Sequence, residues 1–476
     1  MSKKPNKWAL VDPTPVDLAT RMSSKESVLG VPTLSLPHEE SILEHYFTLL
    51  SQASFDKAKE LVDTEKDGHK FSNAASWGEI LQCLSQLATA EKNYSNLVFL
   101  GQKRFTHIVR SKDSAKSIYS MLFQEFQRME NFLTPLLRES STHLETDQLL
   151  AHISGQLSYF VRARIKMIEF YEQLASLGAM RQWMNFDDLI MILEEIVAEN
   201  VTAFHHPLGT SLKTVFSLEC ESLSHLLKAL LLMTTWSYMQ CVLQLHQAHS
   251  KLNTWGTMIP IKEVKSSFGR SSSKSNPFPP IYTWMYKLKG ILLSKFALYF
   301  YDVLAKQTIP SEMKANLSKV PEDFVGRIQA FQKKSDATNI YLVLDAEGLS
   351  GRVGEGGYHH PNKYAEPTQG METYPPIYSY PMERTINSTR WHTIIMIMNS
   401  STECTDKIQF MFEKATDKKP QTSYFIIRVD IRIALVVIFE SKKNERDSTV
   451  NTFMTDLASQ LRCQTVMAGL KNFARS

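Results

Sequence analysis

Two short strings concentrate the groups most able to do chemistry. Phe204-His205-His206-Pro207 and Tyr358-His359-His360-Pro361 repeat one aromatic-His-His-Pro tetrad, and together they hold four of the 14 histidines. Imidazole can ligate a metal, act as an acid or base near neutral pH, or simply hydrogen-bond. Adjacent side chains point apart, so a metal centre would take one histidine from each tetrad and two further ligands, and nothing at ligand spacing supplies those two. A residue before proline is driven toward extended backbone. His206 and His360 therefore each mark a chain reversal, with Phe204 and Tyr358 as apolar anchors. The tetrads read first as turns, next as contacts between domains or with a partner, and last as a metal-dependent catalytic site using His205, His206, His359 and His360.

Other catalytic patterns are missing. Gly354, Gly356 and Gly357 neither follow a strand nor open a helix, so they are not a dinucleotide fingerprint, and no phosphate-cradling Gly-Lys-Ser/Thr occurs. Gly348-Leu349-Ser350-Gly351 lacks the spacing of a nucleophile elbow. No catalytic, cofactor-binding or metal-ligating residue is assigned. Cys83, Cys220, Cys241, Cys404 and Cys463 are widely separated and odd in number, which suits a reducing cytoplasm rather than a disulfide framework. Lys and Arg total 53 against 49 Asp and Glu, and a net charge of +4 over 476 residues is too small to mark a nucleic-acid binder.

The elements that must position these groups fall into two parts. The chain is long enough for two or three domains, with 43% apolar and 21% charged residues as in globular proteins. Residues 1–37 read as a disordered leader rich in Ser, Pro and Lys. Residues 38–310 carry helical periodicity and are expected to form a large antiparallel helical bundle. Trp77, Ile80, Leu81, Leu84, Leu87 and Ala88 recur at three- and four-residue steps, as do Leu150, Ile153, Leu157, Phe160, Val161 and Ile168. A helix from Ser211 is expected to run unbroken to Lys251. Its uncharged part, Ala229–Leu245, is short for a membrane span and contains Gln240 and Gln244, so a buried helix is expected and no integral membrane segment. A flexible Ser/Lys loop spans 262–280. It reads as solvated, or as a docking segment, or as a membrane-surface contact through Lys262, Lys265, Arg270 and Lys274.

Residues 320–476 are expected to form a small α/β domain with a mainly antiparallel sheet, making the whole chain α+β. Helices are expected at Glu322–Lys334, 403–413 and Ser448–Leu461, the last capped by Asp447 or Ser448. Strands are expected at Ile340–Leu344, Trp391–Met398, Tyr424–Val429 and Ile433–Phe439. Such unbroken apolar runs call for cover on both faces. A long irregular loop, 348–390, separates the first two strands. Its Tyr358, Tyr364, Tyr374, Tyr378 and Tyr380 need apolar surface, from the bundle or from a partner. Lys442, Lys443 and Arg446 sit in a charged turn that is either solvated or a binding rim. An exposed strand edge is a template for pairing, so a homo-oligomer is also expected.

Several strings bear a further resemblance. FDKAKE (Phe55–Glu60), AEKNYSNLVFLGQK (Ala90–Lys103), FHHP, KLNTWG (Lys251–Gly256), GYHHP and VIFESKKNERDS (Val437–Ser448) resemble, in order and spacing, the smallest helical subunit of the KICSTOR complex. The similarity covers the chain from about Glu39 onward. It implies a non-catalytic scaffold with a helical bundle and a roadblock/longin-like α/β domain. It also implies, as partners, the other KICSTOR subunits and through them the GATOR GTPase-activating complex. The expected place is cytoplasmic, peripheral at the lysosomal membrane, where TOR kinase signalling is restrained when amino acids or glucose are scarce. The leader and the Ser/Lys loop depart from the family pattern.

Overall fold

The computed structural model describes residues 38–68, 75–101, 115–136, 144–260, 278–349, 369–382, 388–400, 407–415 and 421–473. The leader, most of the Ser/Lys loop and residues 350–368 lie outside the described residues. Helices dominate the first part: α1 (His38–Ser51), α2 (Phe55–Gly68), α3 (Ala75–Ser95), α4 (Ala115–Leu136), α5 (Leu144–Ala179), α6 (Phe186–Val201), α7 (Thr210–Thr234), α8 (Tyr238–Met258), α9 (Pro280–Tyr299), α10 (Tyr301–Gln307), α11 (Pro310–Leu317) and α12 (Phe324–Ser335). Their apolar stripes are buried as the periodicity predicts, with Ile80, Leu84, Leu157, Val161 and Ile168 almost without exposure. Local signals set the ends. Asn185 caps α6 through the Asp187 amide, and Pro280 opens α9, where a missing N–H costs nothing.

The single helix expected from Ser211 to Lys251 is instead two, α7 and α8, folded against each other. Trp236 takes the left-handed conformation, φ 56°, and Ser237 N–H reaches back to Leu232 O at 2.8 Å. That is a helix C-cap in which glycine is usual. Here tertiary packing offsets the strain: Trp236 is buried against Phe300, ring centroids 4.6 Å apart.

The second part is a sheet with helices on both faces: β1 (Asn339–Leu344), β2 (Pro376–Tyr380), α13 (Ser388–Ser400), β3 (Gln409–Glu413), β4 (Thr422–Asp430), β5 (Ile433–Phe439), α14 (Ser448–Leu461), α15 (Gln464–Ala468) and α16 (Leu470–Phe473). Strand order is β2-β1-β5-β4-β3, and every neighbouring pair is antiparallel. The chain is α+β with a helical N-terminal part, as expected. Three local expectations fail. Trp391–Met398 is helix, not strand, because Trp391, Ile394, Ile397 and Met398 share one face at helical spacing. The helix expected at 403–413 is replaced over Gln409–Glu413 by strand β3, whose Phe410 and Phe412 share one face; 401–406 lie outside the described residues. The loop 348–390 is not irregular throughout, since it contains β2 and a short 3-10 turn at Gly370–Thr373. Pro376 confines β2 to an edge.

Period-two alternation divides the sheet. Ile340, Leu342, Phe425, Ile427, Leu435 and Val437 face a core continuous with that of the bundle, back to Leu43 of α1. Tyr341, Val343, Ile426 and Val436 face the other way, under Trp391 and Ile394 of α13. Specific contacts reinforce the joint between bundle and sheet. Lys295 Nζ donates to Asp430 Oδ2 at 2.8 Å, both nearly without exposure, and Tyr299 OH donates to the same oxygen at 3.1 Å. Trp284 Nε1 donates to Val466 O at 2.9 Å, and Gln464 Nε2 to Arg181 O at 2.9 Å. At Gly178 of α5, a Cβ would lie 2.4 Å from the amide nitrogen of Ala468, so only glycine lets α15 approach this closely.

Candidate functional site

The first tetrad is a turn and more. It joins α6 to α7, with His206 at φ −64°, ψ 137°, the extended backbone that the following proline demands. Phe204 is buried against Phe160, ring centroids 5.7 Å apart, and its ring lies where a Cβ on Gly209 would come, at 2.8 Å. Gln156 of α5 holds the turn from beneath. Its Oε1 accepts from the amides of His205 at 2.9 Å and His206 at 2.6 Å. With that oxygen engaged, Nε2 is the donor to His152 Nε2 at 2.9 Å, which makes His152 a neutral acceptor. His206 Nδ1 accepts from the Leu208 amide at 3.2 Å, also as neutral imidazole. His152 stands edge-on to both neighbours, 5.5 Å from His205 and 5.1 Å from His206 by ring centroid.

Three imidazoles thus meet, two of them accepting a hydrogen bond through a ring nitrogen. Burial, then the neighbouring His152 and His205, push the His206 pKa below its ordinary value of 6.5. The sign follows from linkage: just below pH 6.5 the unfolded chain binds more protons than the folded one, so stability falls as pH falls and levels off below the folded pKa. We expect the urea midpoint to drop between pH 7.5 and pH 5.5. His206→Asn keeps an N-cap acceptor without a titrating ring and should drop less. An equal drop in both proteins would show that His206 is not responsible.

The other sequence candidates are dispersed. Tyr358, His359, His360 and Tyr364 lie outside the described residues. Tyr374 and Tyr378 find cover within this chain: the Trp391 indole donates to Tyr374 O at 3.1 Å, and Tyr378 meets Tyr301 of α10 with centroids 5.3 Å apart. Lys443 is committed to Asp336 at 2.8 Å and lies over the Phe439 ring. Lys442 is exposed, its ammonium 5.8 Å from the Phe412 ring centroid, and Arg446 is exposed in a turn whose Asp447 caps α14. Burial raises the thiol pKa of Cys83 and Cys463 to about 11 and of Cys241 to about 12, which leaves them protonated at neutral pH.

Sequence reasoning missed the most densely bonded polar group, a charge network at the centre of the bundle. Arg164 of α5 forks onto Glu91 of α3, Nε and one terminal nitrogen each donating at 3.0 Å, and its other terminal nitrogen donates to Glu219 of α7 at 2.6 Å. Tyr119 OH donates to Glu91 at 2.6 Å, while Tyr94 and Tyr171 donate to Glu219. The guanidinium also lies over the Tyr94 ring, 4.2 Å from its centroid. Burial, followed by the adjacent carboxylates, raises all three phenol pKa values well above the ordinary value. The signal was available: Glu91, Arg164 and Glu219 each interrupt an apolar stripe at a position where the period calls for a core residue. The arrangement locks α3, α5 and α7 together.

Among the described residues, no group of three His, Cys, Asp or Glu side chains is arranged to hold a metal ion, and no helix is long and apolar enough to cross a membrane. A protein-family profile described as "KICSTOR complex C12orf66 like" matches residues 33–475. KICSTOR subunit 2 of Xenopus laevis is 38% identical over 436 residues, covering 91% of this chain and 96% of the relative. KICSTOR subunit 2 of Danio rerio is 37% identical over 443 residues, covering 92% and 96%.

Proposed function

The chain belongs to the KICSTOR complex C12orf66-like family, and from that premise we propose that it is a non-catalytic assembly subunit of a KICSTOR complex. The observation that carries this reading is the near full-length match to proteins named as KICSTOR subunits. The side chains best suited to chemistry support it through what they do here. His206 caps a turn, Lys443 is paired to Asp336, and Arg164 is bonded on all sides by carboxylates. Each is spent on holding the fold.

In this reading the subunit helps recruit the GATOR GTPase-activating complex to the lysosomal surface, where it sits peripherally, and so restrains TOR kinase signalling in amino-acid or glucose starvation. The test is affinity purification of the tagged chain from nutrient-starved cells. The expected result is recovery of the other KICSTOR subunits, together with GATOR chains that disappear when those subunits are depleted. Recovery of GATOR unaffected by their depletion would overturn the indirect link, and absence of any KICSTOR subunit would overturn the assignment itself.

A further inference from the structure

A crevice opens where the connection between α5 and α6 meets one end of the sheet. That connection contributes Trp183 and Met184, and α6 contributes Phe186. Arg462 and Gln464 come from the joint between α14 and α15, and Ile431 of the β4–β5 turn, 50% exposed, brings the crevice to the surface. The cavity measures about 20 Å³, room for a small head group and little more.

Two buried polar atoms here have no hydrogen-bond partner among the described residues: the Trp183 indole N–H and Gln464 Oε1. Gln464 is 1% exposed, and its orientation is set, because Nε2 donates to Arg181 O at 2.9 Å and to Gln182 O at 3.4 Å. A buried donor or acceptor without a partner forfeits its hydration for no return. Arg462 lies over the Trp183 ring, 4.4 Å from its centroid, and donates to Arg428 O. Lys295, also in the lining, is neutralised by Asp430, so the crevice holds one more cation than anion. Strained backbone flanks it as well: Arg181 and Cys463 both take the left-handed conformation, φ 54° and 60°, which non-glycine residues keep mostly where packing or a ligand demands it.

The excess cation calls for an anion, the indole for an acceptor, and Gln464 Oε1 for a donor within the same small space. A carboxylate alone brings no donor. The last residue of a polypeptide brings both, its amide N–H one carbon away from the carboxylate, whereas an Asp or Glu side chain holds its nearest N–H further off. We propose that this crevice binds the free carboxyl terminus of another polypeptide. The terminal carboxylate accepts from the Trp183 indole beside Arg462, the last amide N–H donates to Gln464 Oε1, and an apolar last side chain rests on Met184, Phe186 and Ile431. The inference concerns the isolated chain, so its test is independent of membership in any larger complex.

The experiment titrates the purified full chain with N-acetylleucine, the smallest mimic of such a terminus, and follows both the indole N–H signals of the seven tryptophans and the probe's own relaxation by nuclear magnetic resonance. One indole signal, the one missing from Trp183→Phe, should shift saturably, with a Kd of about 1 mM for a probe this small. 4-Methylpentanoate keeps the carboxylate and the side chain but has no N–H, and should bind about tenfold more weakly. The methyl ester of N-acetylleucine carries no charge and should not shift the signal. Trp183→Phe keeps a ring beneath Arg462 without the N–H and should weaken N-acetylleucine about tenfold. Ile431→Asp, at an exposed position, sets a negative charge at the mouth and should weaken it too, which keeps the test open if Trp183→Phe melts early. 4-Methylpentanoate binding as tightly as N-acetylleucine would overturn recognition of a chain end, and ester binding as tightly would overturn the role of the charge. An unmoved indole signal, or probe binding that neither variant weakens, would leave the crevice to water and overturn the site.

Discussion

Arg164→Met is expected to destabilise the protein by about 3–5 kcal/mol, a large part of the roughly 5–15 kcal/mol that holds a typical fold. Methionine fills much of the same volume, so the effect is electrostatic rather than steric. It leaves Glu91 and Glu219, both almost without exposure, facing each other with tyrosine hydroxyls and no cation. Urea unfolding followed by circular dichroism measures the loss. A second variant separates charge from shape: Arg164→Met combined with Glu91→Gln and Glu219→Gln removes every charge while each Gln carbonyl still accepts from a tyrosine. This neutral variant should be more stable than the single one. Should the single variant unfold within about 1 kcal/mol of the wild type, the network is not what locks the three helices.

Lys295→Met is expected to cost a similar amount, about 3–5 kcal/mol, at the joint between bundle and sheet. Asp430 would keep only the Tyr299 hydroxyl at 3.1 Å and the Ile431 amide at 2.9 Å. Because one apolar core runs through both parts, the loss should shift a single unfolding transition rather than split it. Amide exchange of residues 464–468 reports on the joint, where Trp284 bonds to Val466 O, and dichroism reports on the helices. Two separated transitions, with the helices melting at the wild-type temperature, would show that the bundle stands without the sheet.

Long amphipathic segments are legible because the stripe repeats over many turns, and α3 and α5 lie close to where their periods place them. Short apolar runs are not. Trp391–Met398 ends in an unbroken run of three isoleucines and two methionines, a helix-or-strand ambiguity that only packing against Tyr341 and Ile426 resolves. The break between α7 and α8 carries no Gly or Pro, since burial of Trp236 substitutes for the usual glycine. The second tetrad lies outside the described residues, while at the first the proline predicts the turn that the structure shows. Its partner His152 was not foreseen, because a single histidine on α5, 53 positions before His205, has no local pattern. The buried network was hidden for a related reason: Arg164 lies 73 residues from Glu91 and 55 from Glu219, and pairing across such distances is a property of the packed helices.

The close approach at Gly178 also sets a timetable for biosynthesis. Gln464, which bonds the same helix end, follows Arg181 by 283 residues. At ribosomal speeds of about 5–20 residues per second, the α5 surface that receives α15 is finished roughly 15–60 s before its partner is translated. Throughout that interval the glycine notch stands open, and over its last part, once residue 284 is made, the Trp284 indole lacks its Val466 acceptor. Truncation by only the last dozen residues would therefore leave a fully translated bundle permanently at that unfinished stage.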